Sequence, residues 1–222
     1  KRTDILDHKF ETKLAFICNP NNPDGIENTI DEIETVISKY PNTIFIIDEA
    51  YTEFTSNTTS CISLLKKKEN IIIIKSLTKL FCIPGLRLGY MMASSKIISE
   101  ILNYKMPWNV NSLALNAGGF LFENYNELTP DFSLYLRNTI IFKEKINAIS
   151  GFEVVPGNTS FFLIKLEKPR AADLKEYLIK EHQLLIRDAS NFRTLDQHYI
   201  RVSSQTLDKN DLLIKALKQW SC

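Results

Sequence analysis

Neither sign of charge predominates in this sequence of 222 residues, in which 27 lysine and arginine residues are balanced by 26 aspartate and glutamate residues. Proteins that bind nucleic acid show a basic excess or a basic stripe, and this composition argues against that class. Long apolar runs are also absent, because the longest have only the length of a β-strand. With no signal peptide visible, these features predict a cytoplasmic protein with neither nucleic-acid nor membrane partners.

Cysteine and histidine are too few and too scattered to suggest a metal site. The four cysteines, Cys18, Cys61, Cys82 and Cys222, include no C-x-x-C pair. The three histidines lie at no spacing typical of zinc ligands, either to one another or to the cysteines. Dispersed thiols are typical of a reducing compartment. We therefore predict that the protein binds no metal.

The sequence does contain short apolar segments rich in β-branched residues, which alternate with longer amphipathic segments. This alternation is typical of an α/β fold, in which helices cover the faces of a sheet. In the first half, apolar residues with helical spacing predict a helix over 28–40 that Pro41 helps to end. The predicted strands of the first half are 14–18, 43–51, 70–76 and 86–93.

The second half of the sequence has a different pattern. Residues from about 95 to 150 are predicted to be mostly helical, with breaks at 106–108 and near Thr129-Pro130. After that, short strands alternate with helices, and we predict a domain boundary near residue 130 that separates a domain over 1–130 from a smaller α+β domain over 131–222. The predicted strands of this second domain are 152–155, 160–166 and 199–203, and its helices are 171–181 and 208–219.

Three strands of the first half end in polar clusters. These clusters are Asn19 to Gly25, Asp48 to Tyr51, and Lys75 to Lys79. In open α/β sheets, ligands bind in the crevice outside the carboxyl ends of the strands. If the strands are neighbours, the clusters therefore converge on one site.

Each cluster also has a simpler explanation. The first, rich in Asn, Pro and Gly, could be a tight turn, and Asp48 could cap a helix. Lys79 and Arg87 could be surface charges. The stretch around Asp48 is similar to the acidic strand end of a nucleotide-binding ATPase, but the chain contains no G-x-x-x-x-G-K-[ST] phosphate loop.

Taken together, the three clusters indicate a particular kind of site more specifically than any one of them alone. The stretch S-L-T-K-x(5)-G-x-R-x-G-Y runs from Ser76 to Tyr90, an N-P-D-G stretch ending at Gly25 precedes it, and D-E-A-Y lies between them. This order resembles the pyridoxal-phosphate enzymes of class I/II with the aspartate aminotransferase fold, over nearly the whole chain. The resemblance implies a large cofactor-binding domain with a mostly parallel sheet in three αβα layers, followed by a small α+β domain.

The resemblance also implies roles for six side chains. Lys79 would form a Schiff base with the cofactor aldehyde, which requires an environment that favours the neutral amine. Ser76 and Arg87 would bind the cofactor phosphate, Arg87 through its bidentate guanidinium. The remaining three would bind the ring: Asp48 at the pyridine nitrogen, and Asn22 and Tyr51 at the 3-oxygen. Lys75 is expected to be no more than a surface charge.

Two arginines in the second half are candidates for substrate binding. Arg201 matches the family's arginine for the substrate α-carboxylate, and Arg187 is expected on a neighbouring strand with its base buried by Leu184, Leu185 and Ile186. Two cations imply a substrate with two anionic groups or one phosphate, and the resemblance to one branch of the family implies a small phosphorylated amino acid or amine. The stretches P-W-N-V-N and I-R-D-A-S-N-F look closer to those of threonine-phosphate decarboxylases, which serve cobalamin synthesis, than to those of histidinol-phosphate aminotransferases. The sequence leaves both reactions open.

Enzymes of this family normally carry a substantial segment before the N-P-x-G loop, including a Gly-containing phosphate loop and residues that reach across a homodimer interface. This chain begins at Lys1 and contains only 7 glycines. We therefore expect it to lack that N-terminal portion, which leaves a non-catalytic fragment as a further alternative. The full-length protein is expected to be a homodimer.

Overall fold

A computed structural model describes residues 4–55, 57, 59–168 and 170–221, so Cys222 lies outside the described residues. The first half forms a four-stranded sheet in the order β1-β2-β3-β4. β1, β2 and β3 are parallel and β4 is antiparallel to β3, which confirms the predicted α/β fold with a mostly parallel sheet. These strands are β1 (Leu14–Cys18), β2 (Ile44–Asp48), β3 (Ile71–Ser76) and β4 (Gly89–Ala93).

Helix α1 (Ile30–Lys39) begins two residues later than predicted. The Thr29 hydroxyl accepts a hydrogen bond from the Glu32 amide, and the Glu32 carboxylate accepts one from the Thr29 amide, at 2.7 Å. This capping box fixes the start of the helix. Its apolar face joins the core of the first sheet, where the fully buried side chains include Ile33, Phe45 and Ile71. Burial of each stabilises the fold by roughly 1.5–3 kcal/mol, more than the cap contributes.

The predicted breaks at 106–108 and near Thr129-Pro130 separate helices in the structure, and Asn124 adds a third break. Helix α2 (Leu77–Leu80) is a single turn that directly follows β3. Four further helices follow: α3 (Ser95–Leu102), α4 (Ser112–Glu123), α5 (Tyr125–Leu128) and α6 (Ser133–Asn147). Within the described ranges, no helix is both long and apolar enough to span a membrane.

The last third of the chain forms a second, antiparallel sheet in the order β5-β6-β8-β7. Its core is separate from that of the first sheet and includes Phe162 and Ile164 from the sheet, with Leu174 and Leu217 from the two last helices. The predicted domain boundary near 130 remains a prediction. The elements are β5 (Phe152–Val154), β6 (Phe161–Leu166), α7 (Ala171–His182), β7 (Arg187–Asp188), β8 (Tyr199–Ser203) and α8 (Leu207–Ser221).

Candidate functional site

The carboxyl ends of β1, β2 and β3 lie side by side, so the three polar clusters that follow them start at one edge of the sheet. Cys18 pairs with Asp48 in the register of β1 and β2, and Asp48 pairs with Ile74 in that of β2 and β3. Backbone bonds continue past the strand ends, from the Asn19 amide to the Asp48 carbonyl and from the Glu49 amide to the Ile74 carbonyl, both at 2.9 Å. The convergence expected from strand order is therefore present.

The loop after β1 is held in shape by its own side chains. Buried Asn19 bonds the Asn28 backbone twice: its amide donates to the Asn28 carbonyl at 3.0 Å, and its Oδ1 accepts from the Asn28 amide at 2.8 Å. Gly25 adopts φ +69°, which strongly favours glycine. Between these fixed points the side chain of Asn22 is exposed at the sheet edge.

Lys79 and Tyr51 lie together at this edge. Lys79 Nζ is 5.6 Å from the centroid of the Tyr51 ring, and both side chains are half-buried. The Tyr51 ring packs edge-on against Phe161 of β6, with 4.8 Å between the ring centroids. The candidate lysine therefore stands where the first sheet meets the second, on the short helix that follows β3.

Asp48 and Ser76 mark the ends of β2 and β3. Asp48 Oδ1 accepts a hydrogen bond from the Ala50 amide at 3.0 Å. Burial raises the pKa of the Cys18 thiol, and the negative charges of Asp48 and Asp24 raise it further, which places anionic character at this strand end. Ser76 Oγ lies 2.8 Å from Thr78 Oγ1, so the turn into α2 presents two adjacent hydroxyl groups.

The side chain of Arg87, like those of Asp48 and Ser76, makes no hydrogen bond to another predicted site residue in the described part of the chain. It is exposed, has φ +55°, and donates from Nη1 to the carbonyl of Pro84 at 3.1 Å. No hydrogen bond within the described part of the chain links its guanidinium to Ser76 or Lys79.

Arg201 and Arg187 lie directly opposite each other on β8 and β7. Arg201 Nη1 donates to Asn22 Oδ1, and its guanidinium carbon is 5.8 Å from the centroid of the Phe161 ring that also contacts Tyr51. Burial lowers the pKa of Arg201, the charge of Arg187 lowers it further, and Tyr51 opposes this shift. The structure therefore brings both arginines, Asn22 and Tyr51 into one neighbourhood.

The expectation that apolar residues bury the base of Arg187 is wrong. Arg187 is exposed, and Leu185 is 78% exposed, although Ile186 is buried. Alternation along an extended backbone sends neighbouring side chains to opposite faces, so a run of apolar residues cannot all cover one arginine. Arg187 is instead oriented by Asn191, whose Oδ1 accepts from Nη2 at 3.1 Å, and by Phe192, with 5.8 Å between its ring centroid and the guanidinium carbon.

The expectation that Lys75 is a surface charge is also wrong. Its side chain is only 8% exposed, and its Nζ lies 3.1 Å from Glu49 Oε2 and 2.9 Å from Glu53 Oε1. Burial by itself lowers the pKa of Lys75, but the two carboxylates outweigh burial and raise it. Sequence analysis missed all three residues. A signal was present in the sequence, because a lysine inside a strand of isoleucines needs a buried partner, and D-E-A-Y-T-E contains Glu49 and Glu53 beside Asp48.

A second polar contact joins the two halves near Glu27. The Glu27 carboxylate accepts from the Thr55 hydroxyl and, at 3.1 Å, from the Asn158 amide. Close by, Lys143 Nζ donates to the carbonyls of Gly157 at 2.7 Å and Thr159 at 3.0 Å. Burial lowers the pKa of Lys143 to about 8, against a smaller opposing effect of Glu27. The Glu27–Asn158 bond therefore joins the second half of the chain to the segment that follows the Asn22 loop, and the Lys143 bonds hold residues 157–159 in place within that half.

Comparisons of sequence and of structure with known proteins agree on one protein family. The family model for aminotransferase class I and II matches residues 3–217. A histidinol-phosphate aminotransferase of Thermoanaerobacter pseudethanolicus is 34% identical over 217 residues, which are 95% of this chain and 58% of the relative. An adenosylcobalamin biosynthesis bifunctional protein of Leptospira interrogans is 34% identical over 223 residues, 96% of this chain and 25% of that protein.

Among solved structures, the L-threonine-O-3-phosphate decarboxylase of Porphyromonas gingivalis is similar to this chain with a TM-score of 0.93 and 37% identity. The match covers 98% of this chain and 67% of that one. The chain thus spans a little over half of the length of the histidinol-phosphate aminotransferase that it matches.

Proposed function

Because this chain belongs to the family of class I and II aminotransferases, we propose that it carries the cofactor lysine and the substrate arginines of a pyridoxal-phosphate enzyme. One observation carries the proposal. Lys79 lies against Tyr51, and Arg201, which bonds Asn22, reaches the same neighbourhood through Phe161. These contacts support an amine for the cofactor and a cation for a carboxylate on either side of the Tyr51 and Phe161 rings.

The residues at the strand ends fit pyridoxal phosphate by the chemistry of their side chains. Asp48 would hold the proton on the pyridine nitrogen, and Asn22 and Tyr51 would bind the ring oxygen. The paired hydroxyls of Ser76 and Thr78 present donors to a phosphate, which Arg87 would also bind. When bound, the cofactor supplies an electron sink for the bond that breaks at the substrate α-carbon.

For the substrate, we propose a small phosphorylated amino acid, with decarboxylation of a threonine phosphate in cobalamin synthesis as the reaction. Support comes from the likeness to the Porphyromonas gingivalis decarboxylase and to the adenosylcobalamin biosynthesis protein. Arg201 would bind the α-carboxylate, and Arg187 opposite it would add a second positive charge for a doubly anionic substrate. Orientation of the scissile bond then selects loss of CO2 over loss of a proton.

Transamination of histidinol phosphate is the second candidate, favoured by the 34% identity to the Thermoanaerobacter pseudethanolicus enzyme. The same side chains would bind the substrate and cofactor of this reaction, but it requires one further proton transfer. In a transaminase the Lys79 amine moves a proton away from the substrate α-carbon, whereas a decarboxylase needs protonation at that carbon only. A non-catalytic fragment is the third candidate, since the chain spans 58% of this relative.

We propose in addition that the protein acts as a homodimer. Large apolar side chains are exposed on two faces of α4 and in the segment before it, and large exposed apolar surfaces mark interaction sites. These side chains are Trp108, Leu113, Leu115, Phe120 and Phe122. Light scattering after size-exclusion chromatography should give twice the chain mass, and a monomer at micromolar concentration would contradict a dimer formed by this chain alone.

The reaction is tested by supplying the chain, loaded with pyridoxal phosphate, with O-phosphothreonine or with histidinol phosphate and a 2-oxo acid. Release of CO2 with an amino-alkyl phosphate supports the decarboxylase. Formation of an oxo product with aminated cofactor supports the aminotransferase and contradicts the first choice. Loss of turnover in both assays, with cofactor bound, supports the non-catalytic fragment. Arg201→Lys should raise KM more than it lowers kcat, because it weakens bidentate carboxylate binding.

A further inference from the structure

Three charged side chains that the proposed function does not use, two of them buried and one partly exposed, lie beside the candidate site. Lys75 Nζ contacts Glu49 Oε2 at 3.1 Å and Glu53 Oε1 at 2.9 Å, with side-chain exposures of 8%, 0% and 22%. We call these three residues the ion triad. Buried charges are costly unless they are paired, and an isolated surface role would not bring two carboxylates to one ammonium.

The triad connects the two strand ends that carry the candidate cofactor residues. Glu49 directly follows Asp48, and Glu53 lies two residues after Tyr51 in the turn Thr52–Phe54. Lys75 lies in β3, directly before Ser76 and four residues before Lys79. Because neighbouring residues of a strand point to opposite faces, Lys75 acts from the face of the sheet opposite to Ser76.

Glu49 is itself held in place from two further directions. Its Oε2 accepts from the Ser60 hydroxyl and its Oε1 from the Cys61 amide, both at 2.6 Å. Its backbone amide donates to the Ile74 carbonyl at 2.9 Å. Three hydrogen bonds therefore hold Glu49 in place, and its ion pair with Lys75 in turn restrains the end of β3.

We propose that the ion triad is a positioning device that holds the ends of β2 and β3 in the relative placement that cofactor binding requires. This inference rests on the proposed function for its consequence, although the positioning itself is a property of the chain without cofactor. A buried ion pair adds little net stability over well-packed apolar residues, but it demands a defined geometry from both partners. The triad therefore contributes more to the relative position of the ends of β2 and β3 than to the stability of the fold.

Three variants and one control separate positioning from stability. Lys75→Met breaks the triad and leaves Glu49 buried without its cation. The double variant Lys75→Met/Glu49→Gln removes both charges but keeps an acceptor for the Cys61 amide. Lys75→Arg keeps the positive charge. The control is Lys145→Met, which breaks an exposed 2.7 Å ion pair with Asp211 in the second half of the chain.

The first readout is the pyridoxal phosphate concentration that half-labels Lys79 when the mixture is reduced with borohydride and mapped by peptide mass. We expect Lys75→Met and the double variant to need at least about tenfold more cofactor than the unaltered chain, since small misplacements at a site are costly. Lys75→Arg and Lys145→Met should stay close to the unaltered value. The urea midpoint should fall for Lys75→Met and recover in the double variant.

The second readout is amide hydrogen exchange of the chain without cofactor. Peptides from the ends of β2 and β3 should exchange at least about tenfold faster in Lys75→Met and in the double variant, while peptides of the second sheet should not change. If the double variant recovers both its urea midpoint and its labelling, the triad is structural only and the inference fails.

The two claims fail in different ways. If the unaltered chain is not labelled at Lys79, the proposed cofactor site is wrong for this chain, and hydrogen exchange alone then decides whether the triad positions the strand ends. If the unaltered chain is labelled and both Lys75→Met variants match it in labelling and in exchange, the proposed function stands and the positioning role is overturned.

Discussion

Gly89 offers the sharpest test of how the candidate site is built. It opens β4, directly opposite Ser76, and a Cβ added there would lie 2.7 Å from the backbone oxygen of Lys75. A backbone atom cannot rotate away as a side chain can, so Gly89→Ala must push β4 away from the end of β3. Overpacking of this kind costs about 1–3 kcal/mol. For a chain of this size the melting temperature should fall by several degrees.

The matched control is Gly119→Ala. Gly119 lies inside α4 with nothing within 4 Å of an added Cβ, so alanine should stabilise the helix by about 0.5–1 kcal/mol. Thermal and urea unfolding followed by circular dichroism would compare the two variants with the unaltered chain. The reasoning is refuted if Gly89→Ala is as stable as the unaltered chain, or if both alanines destabilise it equally.

Two further predictions concern the frame around the site. Thr29→Ala should lower the free energy of unfolding in urea by about 1 kcal/mol, because it breaks the capping box of α1. Thr35→Ala, within the same helix, should lower it by less. Equal losses in the two variants would contradict the capping role. Burial lowers the pKa of Lys143 in the folded chain to about 8, from its ordinary 10.5. Below about pH 8 the buried amine is charged, and its full destabilising contribution is present. This contribution disappears as the pH rises to 10.5. The unfolding free energy of Lys143→Met relative to the unaltered chain should therefore decline between pH 8 and 10.5, and a flat or rising difference would exclude a lowered pKa.

Much of the fold follows from local pattern. β-branched segments bounded by turn residues gave the four strands of the first sheet to within a few residues, and the strand predicted over 199–203 has the bounds of β8. The mostly parallel order follows from strands that alternate with helices. The predicted strand over 86–93 begins only at Gly89, because Pro84–Leu86 form a 3₁₀ turn that Pro-Gly favours.

What sequence reasoning missed depends on contacts between distant residues. The partners of Lys75 lie 22 and 26 positions away, and only the register of β2 and β3 brings them together. The contact of Arg201 with Asn22 spans 179 positions and joins the two sheets. The burial of Arg187 was misjudged because hydrophobic neighbours in sequence were taken as neighbours on one face.

The central claim is that Lys79 is the cofactor lysine, and the most direct measurement is the intact mass and peptide map of the chain after incubation with pyridoxal phosphate and reduction with borohydride. The account predicts one reduced adduct per chain, on Lys79, which disappears in Lys79→Ala. No adduct, or adducts spread over other lysines and unchanged in Lys79→Ala, would contradict it.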